Sequence, residues 1–210
     1  MIKIDFINRY WNYYLLIEEE FLNTQKFVEI DELNFDAFSN TYMRFLLTIG
    51  SEVDVVMNMF RKQLIGNSTN GNIGECATTI TEQYNNFYQQ NIIVKNSNIR
   101  LIPWDNWTSS TSPFWWRIYN KVKHERTNID PISGTYYYKL ANQKHVVYSL
   151  SALFQLLMYS LKRIAEDEGL THNADKVPQP QSKLFKVVEW IDDTFIDVGN
   201  GVIYDIISST

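Results

Sequence analysis

Cysteine is almost absent from this sequence, because Cys76 is the only one among 210 residues. A lone cysteine excludes an internal disulfide and any zinc site built from several thiolates. The histidines at positions 124, 145 and 172 show no metal-ligand spacing. We therefore expect no metal and no other cofactor. Cys76 itself is predicted to be a small buried residue rather than a reactive thiol.

Long apolar runs are absent as well. No stretch approaches the roughly 18 apolar residues of a membrane-spanning helix. The N-terminal residues MIKIDFINRYWNYY lack the uninterrupted apolar core of a signal peptide. We expect a cytoplasmic protein without membrane contact.

An excess of positive charge is also lacking, since the net charge is -5 and the pI is about 5.2. This balance excludes general affinity for nucleic acid, although a local basic patch could still bind phosphate. With 45% hydrophobic and 15% aromatic residues, the chain is too apolar to be disordered. Its length suits one domain with a modest appendage.

Apolar residues recur at three- and four-residue steps in several stretches, which predicts a mainly α-helical fold. The predicted helices cover about residues 5–28, 36–65, 73–90, 113–126 and 142–168. The last of these is the most apolar, and we expect it to form the centre of the core.

Two short β-hairpins are predicted at the periphery, at about residues 92–103 and 184–206. The second contains a Gly-Asn-Gly turn between two β-prone runs. The segment HNADKVPQPQS, which precedes it, has the composition of a linker. We therefore expect a helical domain at 1–172 and a β-rich tail at 173–210 that packs on this domain or on a partner.

The segment PFWWRIYNKVKHERT, residues 113–127, concentrates aromatic and basic residues in an otherwise acidic chain. The preceding TSSTS offers hydroxyls that could cap the predicted helix, and Pro113 fits its first turn. At about 100° per residue, one face of the helix presents Arg117, Asn120, Lys121 and His124. A second face carries apolar side chains that can anchor the helix, namely Trp115, Ile118 and Val122.

The polar face holds the groups that a metal-independent ribonuclease needs. A histidine can transfer protons near neutral pH, an arginine can stabilise a charged phosphorane, and Asn120 could orient either group. Arg117 and His124 lie two turns apart, about 10 Å along the axis. Two long side chains leaning together could span one phosphodiester, but a second copy of the helix would complete such a site more easily. Alternatively, His124 is a solvated residue or a cation at the helix end.

The string WWRIYNKVKHER, with two long helices before it and an apolar helix after it, resembles the HEPN superfamily over about residues 5–168. The hallmark of that family is an Arg, four to six residues and then a His on one helix. Here the pattern is Arg117, IYNKVK and His124. The segment YMRFLLTIGSEVDVV resembles the second helix of such proteins.

The resemblance implies an up-and-down helical bundle and a metal-independent endoribonuclease of a toxin or antiphage defence type. It also implies a homodimer that juxtaposes two motif helices, with Arg117 and His124 as the catalytic pair. RNA or a nucleotide would be the ligand, and an antitoxin or other protein a further partner. Ile118 departs from the family pattern, because active members usually carry a polar residue after the Arg; Asn120 could substitute for it.

Two alternatives stay open. In the first, the domain is a catalytically inactive HEPN-like module whose polar face holds a nucleotide phosphate or a partner carboxylate. In the second, the protein is structural and the basic helix only faces solvent. Glu52, in the second predicted helix, is either a partly buried carboxylate paired with Arg117 or His124, or an exposed residue on the shoulder of its helix.

Overall fold

The computed structural model describes residues 1–66, 69–188 and 190, together with the backbone of two strands at 195–198 and 202–205. The fold is mainly helical and carries a small three-stranded antiparallel sheet. The α-helices are α1 Lys3–Phe6, α2 Asn12–Leu22, α3 Asn40–Ile65, α4 Ile73–Gln83, α5 Phe114–Glu125 and α6 Gln143–Asp167. The strands are β1 Ile92–Val94, β2 Arg100–Leu101, β3 Phe185–Val187, β4 Phe195–Val198 and β5 Val202–Asp205.

Helices α1 and α2 are joined without a break by a π-helical turn at Ile7–Trp11. The inner side of this long helix buries the aromatic residues Phe6, Trp11, Tyr14 and Phe21. The sequence predicts a helix that continues to about residue 28, but α2 ends at Leu22. Only a 3-10 turn follows, and Phe27 beyond it is 87% exposed and has no core to pack against.

Helix α3 is capped by Ser39, whose hydroxyl accepts a hydrogen bond from the Tyr42 amide at 3.0 Å. It ends at Gly66, which adopts a left-handed φ of 63°. Its buried face packs against α6. This helix agrees with the predicted helix at 36–65, except that the start moves to the capping serine.

Helix α6 is the centre of the core, as predicted from its apolar sequence. It is buried over nearly all of its circumference, which is typical of a helix surrounded by other elements. Three serines are buried in it as well. Their hydroxyls donate to carbonyls of the same helix, at Val146, Tyr148 and Leu156. These bonds satisfy the hydroxyls, so the helix can be enclosed at little cost.

Helix α4 is shorter than the predicted helix at 73–90. It starts with a capping box between Asn72 and Glu75 and ends at Gln83. The chain then turns inward, and the Phe87 carbonyl accepts a 2.6 Å hydrogen bond from Nε2 of the buried Gln155 on α6. In a longer α-helix, the Phe87 carbonyl would accept a hydrogen bond from the backbone amide four residues later.

The first hairpin lies where the sequence predicts it, with β1 paired to β2. The second prediction, a hairpin over about 184–206, is only partly right. Strands β4 and β5 pair antiparallel, and the predicted Gly-Asn-Gly turn between them lies outside the described residues. However, β3 pairs with β1 instead. In β3, Phe185 and Val187 point into the core, and Lys186 between them is exposed.

The buried carboxylate of Glu18 joins α2 to the chain just before β3. Glu18 is 1% exposed and accepts hydrogen bonds from the Tyr14 hydroxyl at 2.6 Å and from the Ser182 hydroxyl. The amides of Lys183 and Leu184 also donate to it, at 2.9 and 3.2 Å. Burial, followed by the charge of Glu18, raises the pKa of Tyr14 well above its ordinary value. We call this set of contacts the Glu18 latch.

Replacing Glu18 should weaken the whole fold. Glu18→Ala removes the buried carboxylate to which two hydroxyls and two amides donate, and we expect the free energy of unfolding to fall by about 2 to 4 kcal/mol. Urea denaturation followed by tryptophan fluorescence measures this change. The exposed neighbour Glu19 supplies the control variant, Glu19→Ala. Equal stability of the two variants would contradict a structural role for the latch.

Candidate active site on helix α5

Helix α5 starts at Phe114 with Pro113 as its N-cap, and no side chain caps its first turn. The predicted Ser or Thr cap is therefore wrong. The hydroxyl of Thr108 instead accepts hydrogen bonds from the amides of Ser110 and Thr111, at 3.3 and 3.1 Å. The TSSTS segment thus forms its own turn, and α5 begins where the chain leaves it.

The inner face of α5 is held by aromatic side chains. Trp115 is fully buried, and its indole N–H donates a 2.7 Å hydrogen bond to the Pro103 carbonyl. Val122 is buried, and Ile118 packs against the core with part of its surface exposed. Trp116 and Tyr119 are buried too, so the anchoring side is wider than the three apolar residues that define it in the sequence.

Helix α5 crosses α3 at Gly50. A Cβ atom added to Gly50 would lie 2.3 Å from the ring of Tyr119, closer than any real contact. The glycine therefore permits the ring to lie directly on the α3 backbone.

Arg117 and His124 both lie on the outer face of α5 and are exposed. Within the described residues, neither side chain makes a hydrogen bond or an ion pair. The structure therefore places both side chains on the open surface, about 10 Å apart along the helix axis. Both are available to a ligand or to a second molecule.

Asn120 and Lys121, in contrast, are engaged within the chain. Asn120 Nδ2 donates to the Trp116 carbonyl at 3.0 Å. Lys121 Nζ lies 2.8 Å from Glu125 Oε1 and 5.5 Å from the ring centre of Tyr137. The hydrogen bond with Glu125 raises the pKa of Lys121, and the same bond lowers the pKa of Glu125. Asn120 and Lys121 lie next to Arg117 and His124, but their polar groups are already bonded within the chain.

Glu52 is partly buried, and desolvation raises the pKa of its carboxyl. The structure does not bring it to Arg117 or His124, and no cation of the described residues pairs with it. The reason is its position on α3. Gly50 faces α5, and Glu52 lies two residues further, about 200° around the helix. The side chain of Glu52 therefore points away from the face of α3 that contacts α5.

Sequence reasoning missed the segment that follows α5. Residues 128–138 fold back, so that the Tyr137 and Tyr138 amides donate to the carbonyls of Asn128 and Arg126, both at 3.0 Å. Tyr137 is buried beneath Lys121. The signal was available in the sequence as three consecutive tyrosines and a lysine at 136–139, but their spacing alone did not show that the loop returns to the helix.

The exposed pair lies apart from the apolar cavity of the described residues. A cavity of about 240 Å³ lies between Trp11, Phe154 and Phe185, and none of its lining residues belongs to α5. Among the residues that the structure describes, no three His, Cys, Asp or Glu side chains are placed to share a metal ion. No helix in that part of the chain has the length and apolar character needed to cross a bilayer. The candidate site is therefore an open surface.

His145 is the histidine with the most perturbed environment. Its Nδ1 lies 2.7 Å from Asn142 Oδ1 at the start of α6, and the ring packs against Phe114 at 5.4 Å. Burial, with a smaller contribution from the charge of Lys144, lowers the pKa of His145 to about 4. The neutral form is therefore part of the fold rather than a proton-transfer group near pH 7.

This environment predicts a loss of stability in acid. Between about pH 6.5 and pH 4 the unfolded chain binds a proton at His145 that the folded chain does not, so the free energy of unfolding falls as the pH falls. The contribution amounts to about 1 to 3 kcal/mol. Chemical denaturation of His145→Gln over this range should show a smaller pH dependence than the wild type. The exposed His172 provides the control, and a His172→Gln protein with the same reduced slope would contradict the assignment.

The crossing at Gly50 predicts a second stability effect. Gly50→Ala forces the Tyr119 ring away from α3, and we expect a loss of about 1 to 3 kcal/mol despite the better helix propensity of alanine. Urea denaturation measures this loss, and Ser51→Ala at the exposed neighbouring position serves as the control. In a Gly50→Ala background, Tyr119→Leu should cost much less than it does alone. Strictly additive effects would show that the two residues do not clash.

Comparison with known proteins gives no further identification: no family model matches the chain, and neither a curated protein nor a solved structure matches it.

Proposed function

We propose that this protein is a metal-independent endoribonuclease of the HEPN type, which cleaves RNA where the α5 helices of two copies meet. One observation carries the proposal. Arg117 and His124 are exposed together on the outer face of a helix whose inner face is fixed by buried aromatic residues. Neither side chain makes a hydrogen bond or an ion pair within the described part of the chain, which supports a role toward a ligand.

The chemistry assigns a role to each residue. The ribose 2′-oxygen forms a bond to the adjacent phosphorus while the bond to the 5′-oxygen breaks, which gives a cyclic phosphate and a 5′-hydroxyl. A base accepts the proton of the 2′-hydroxyl, and an acid donates one to the leaving oxygen. His124 can fill either position. Arg117 stabilises the charge that develops on the phosphorane oxygens.

The need for two copies follows from the same chemistry. In-line displacement places the base and the acid on opposite sides of the phosphorus, and one histidine cannot occupy both sides. The exposed pair lies on an open surface rather than in a cavity, so water is excluded only if another molecule covers it. A two-fold axis near α5 would supply both the second His124 and that cover.

A second candidate is an inactive HEPN-like module that binds a nucleotide or a protein. Two observations favour it. Ile118 follows Arg117 where a polar residue is usual, and Asn120 does not take over that position, because its amide is bonded to the Trp116 carbonyl. In this case Arg117 and His124 would bind a phosphate or a carboxylate without catalysing a reaction. A toxin or antiphage role and an antitoxin partner belong to the first proposal.

Cleavage of a labelled single-stranded RNA in the presence of EDTA tests the proposal. We expect Arg117→Ala and His124→Ala each to lower the rate by about 100-fold or more. Arg9→Ala and His172→Ala, at exposed positions away from α5, should keep the wild-type rate. Sedimentation of the wild type should show a dimer at the concentration of the assay.

The other outcomes separate the candidates. Undiminished cleavage by both α5 variants would mean that another residue or a contaminant cuts the RNA, and the proposal would be wrong. Binding of RNA or of nucleotides without cleavage, lost in Arg117→Ala, would select the inactive module.

A further inference from the structure

Three exposed aromatic side chains form a continuous patch next to the C-terminal end of α5. Phe38, Tyr136 and Tyr138 are 49%, 43% and 36% exposed. The rings of Tyr136 and Tyr138 stack with their centres 5.8 Å apart and their planes 24° apart. Phe38 meets the edge of Tyr138 at 6.5 Å. We call these three residues the aromatic patch. Exposed clusters of large apolar side chains usually mark an interaction surface.

The patch is fixed to the helix that carries Arg117 and His124. The Tyr138 amide donates to the carbonyl of Arg126, the residue directly after α5. Tyr137, between the two exposed tyrosines, is buried below Lys121 on the polar face. On the other side, Phe38 forms a β-bridge with Asn142 at the start of α6. Because these backbone contacts set the positions of the rings, the patch is a preformed surface rather than a loose loop.

Positive charge lies on the α5 side of the patch, whereas the segment before Phe38 is acidic and contains Glu29, Asp31, Glu32 and Asp36. Residues 113–144 contain six Lys or Arg and two Asp or Glu, a net charge of +4, whereas the rest of the chain has a net charge of -9. Lys139 Nζ lies 5.7 Å from the centre of the Phe38 ring and 6.0 Å from that of Tyr138. Of the two acidic residues, Glu125 is paired with Lys121, and Asp130 accepts a hydrogen bond from the Ser133 amide within its own loop.

We infer that the aromatic patch is a stacking surface for unpaired bases, which makes single-stranded RNA the substrate class of the proposed ribonuclease. The inference rests on the proposed function and adds a second contact region beside Arg117 and His124. The two tyrosine rings already touch, so a base cannot enter between them and stacks on the outer face of the pair. Lys139, whose Nζ lies over the rings of Phe38 and Tyr138, supplies charge for the phosphates that connect such bases.

The favoured occupant follows from the combination of exposed rings and cations. Aromatic platforms flanked by Lys and Arg are the usual means of holding single-stranded nucleic acid, because every base offers a π-face and every nucleotide a phosphate. Bases inside a duplex have no free face to offer. A purely apolar protein partner would gain nothing from the surplus of positive charge at residues 113–144.

Binding of fluorescent RNA by anisotropy tests the inference, with His124→Ala as the background so that the RNA stays intact. The probes are a 12-nucleotide single strand, the same strand with abasic sugars, and a blunt duplex of the same sequence. We expect the single strand to bind best. Tyr136→Leu and Tyr138→Leu should each weaken that binding by roughly 5- to 100-fold, while leaving the weaker binding of the abasic strand unchanged.

Matched variants separate stacking from folding. Tyr136→Phe and Tyr138→Phe keep the ring, so they should bind within about twofold of the background protein. Tyr13 is 41% exposed on α2, and Tyr13→Leu should have no effect on binding. Thermal melting of each Leu variant confirms that it is folded.

The outcomes distinguish this inference from the proposed function. If the wild type cleaves RNA and the Leu variants bind and cleave like the Phe variants, the aromatic patch is not a substrate surface, although the ribonuclease proposal stands. Equal binding of duplex and single strand would also overturn the inference. If neither RNA binds and none is cleaved, the proposed function itself fails.

Discussion

The fold depends on covering helix α6. A helix of 25 residues with buried side chains all around it cannot remain in water, so several other elements enclose it. Helix α3 packs along it, the helix formed by α1 and α2 lies against another side, and α5 and β3 cover the remainder. The three buried serines of α6 do not oppose this arrangement, because their hydroxyls donate to carbonyls of the same helix. The outer face of α5 is what remains exposed once this enclosure is complete.

A polar contact, the Glu18 latch, joins α2 to the chain just before β3. A buried carboxylate needs hydrogen-bond donors around it to balance its charge. Here two hydroxyls and two backbone amides provide them. Hydrogen bonds of this kind have a strict geometry, which apolar packing lacks. The Glu18 latch therefore fixes the position at which the chain enters β3, and with it the register of the third strand on β1.

The helices could be predicted well from the sequence, because each buries one face and the spacing of apolar residues records which face it is. The ends were less predictable. Helix α4 stops at Gln83, and the Phe87 carbonyl beyond it accepts a hydrogen bond from Gln155, a residue that lies 68 positions after Phe87 in the sequence. The pairing of β3 with β1 and the role of Glu18 also depend on partners that are distant in the chain. Such contacts leave no periodic signal.

The candidate site was predictable to a similar extent. The helical wheel correctly separates Arg117 and His124 from the anchoring residues, since only the 100° turn per residue is needed for that. It does not show which polar side chains are already engaged, and so it groups Asn120 and Lys121 with the exposed pair. The pairing of Glu52 with Arg117 or His124 was inferred from partial burial alone, which does not show that Glu52 lies on a face of α3 directed away from α5. The aromatic patch required the return of the loop, which only the structure reveals.

The contact between Gly50 and Tyr119 has a geometric consequence for the outer face. Tyr119 lies two residues after Arg117, which corresponds to about 200° of rotation on the helix. The Tyr119 ring packs directly on the α3 backbone at Gly50. A rotation of α5 about its own axis would break this contact. The azimuth of Arg117, and with it that of His124 two turns later, is thus set by a missing methyl group on the neighbouring helix.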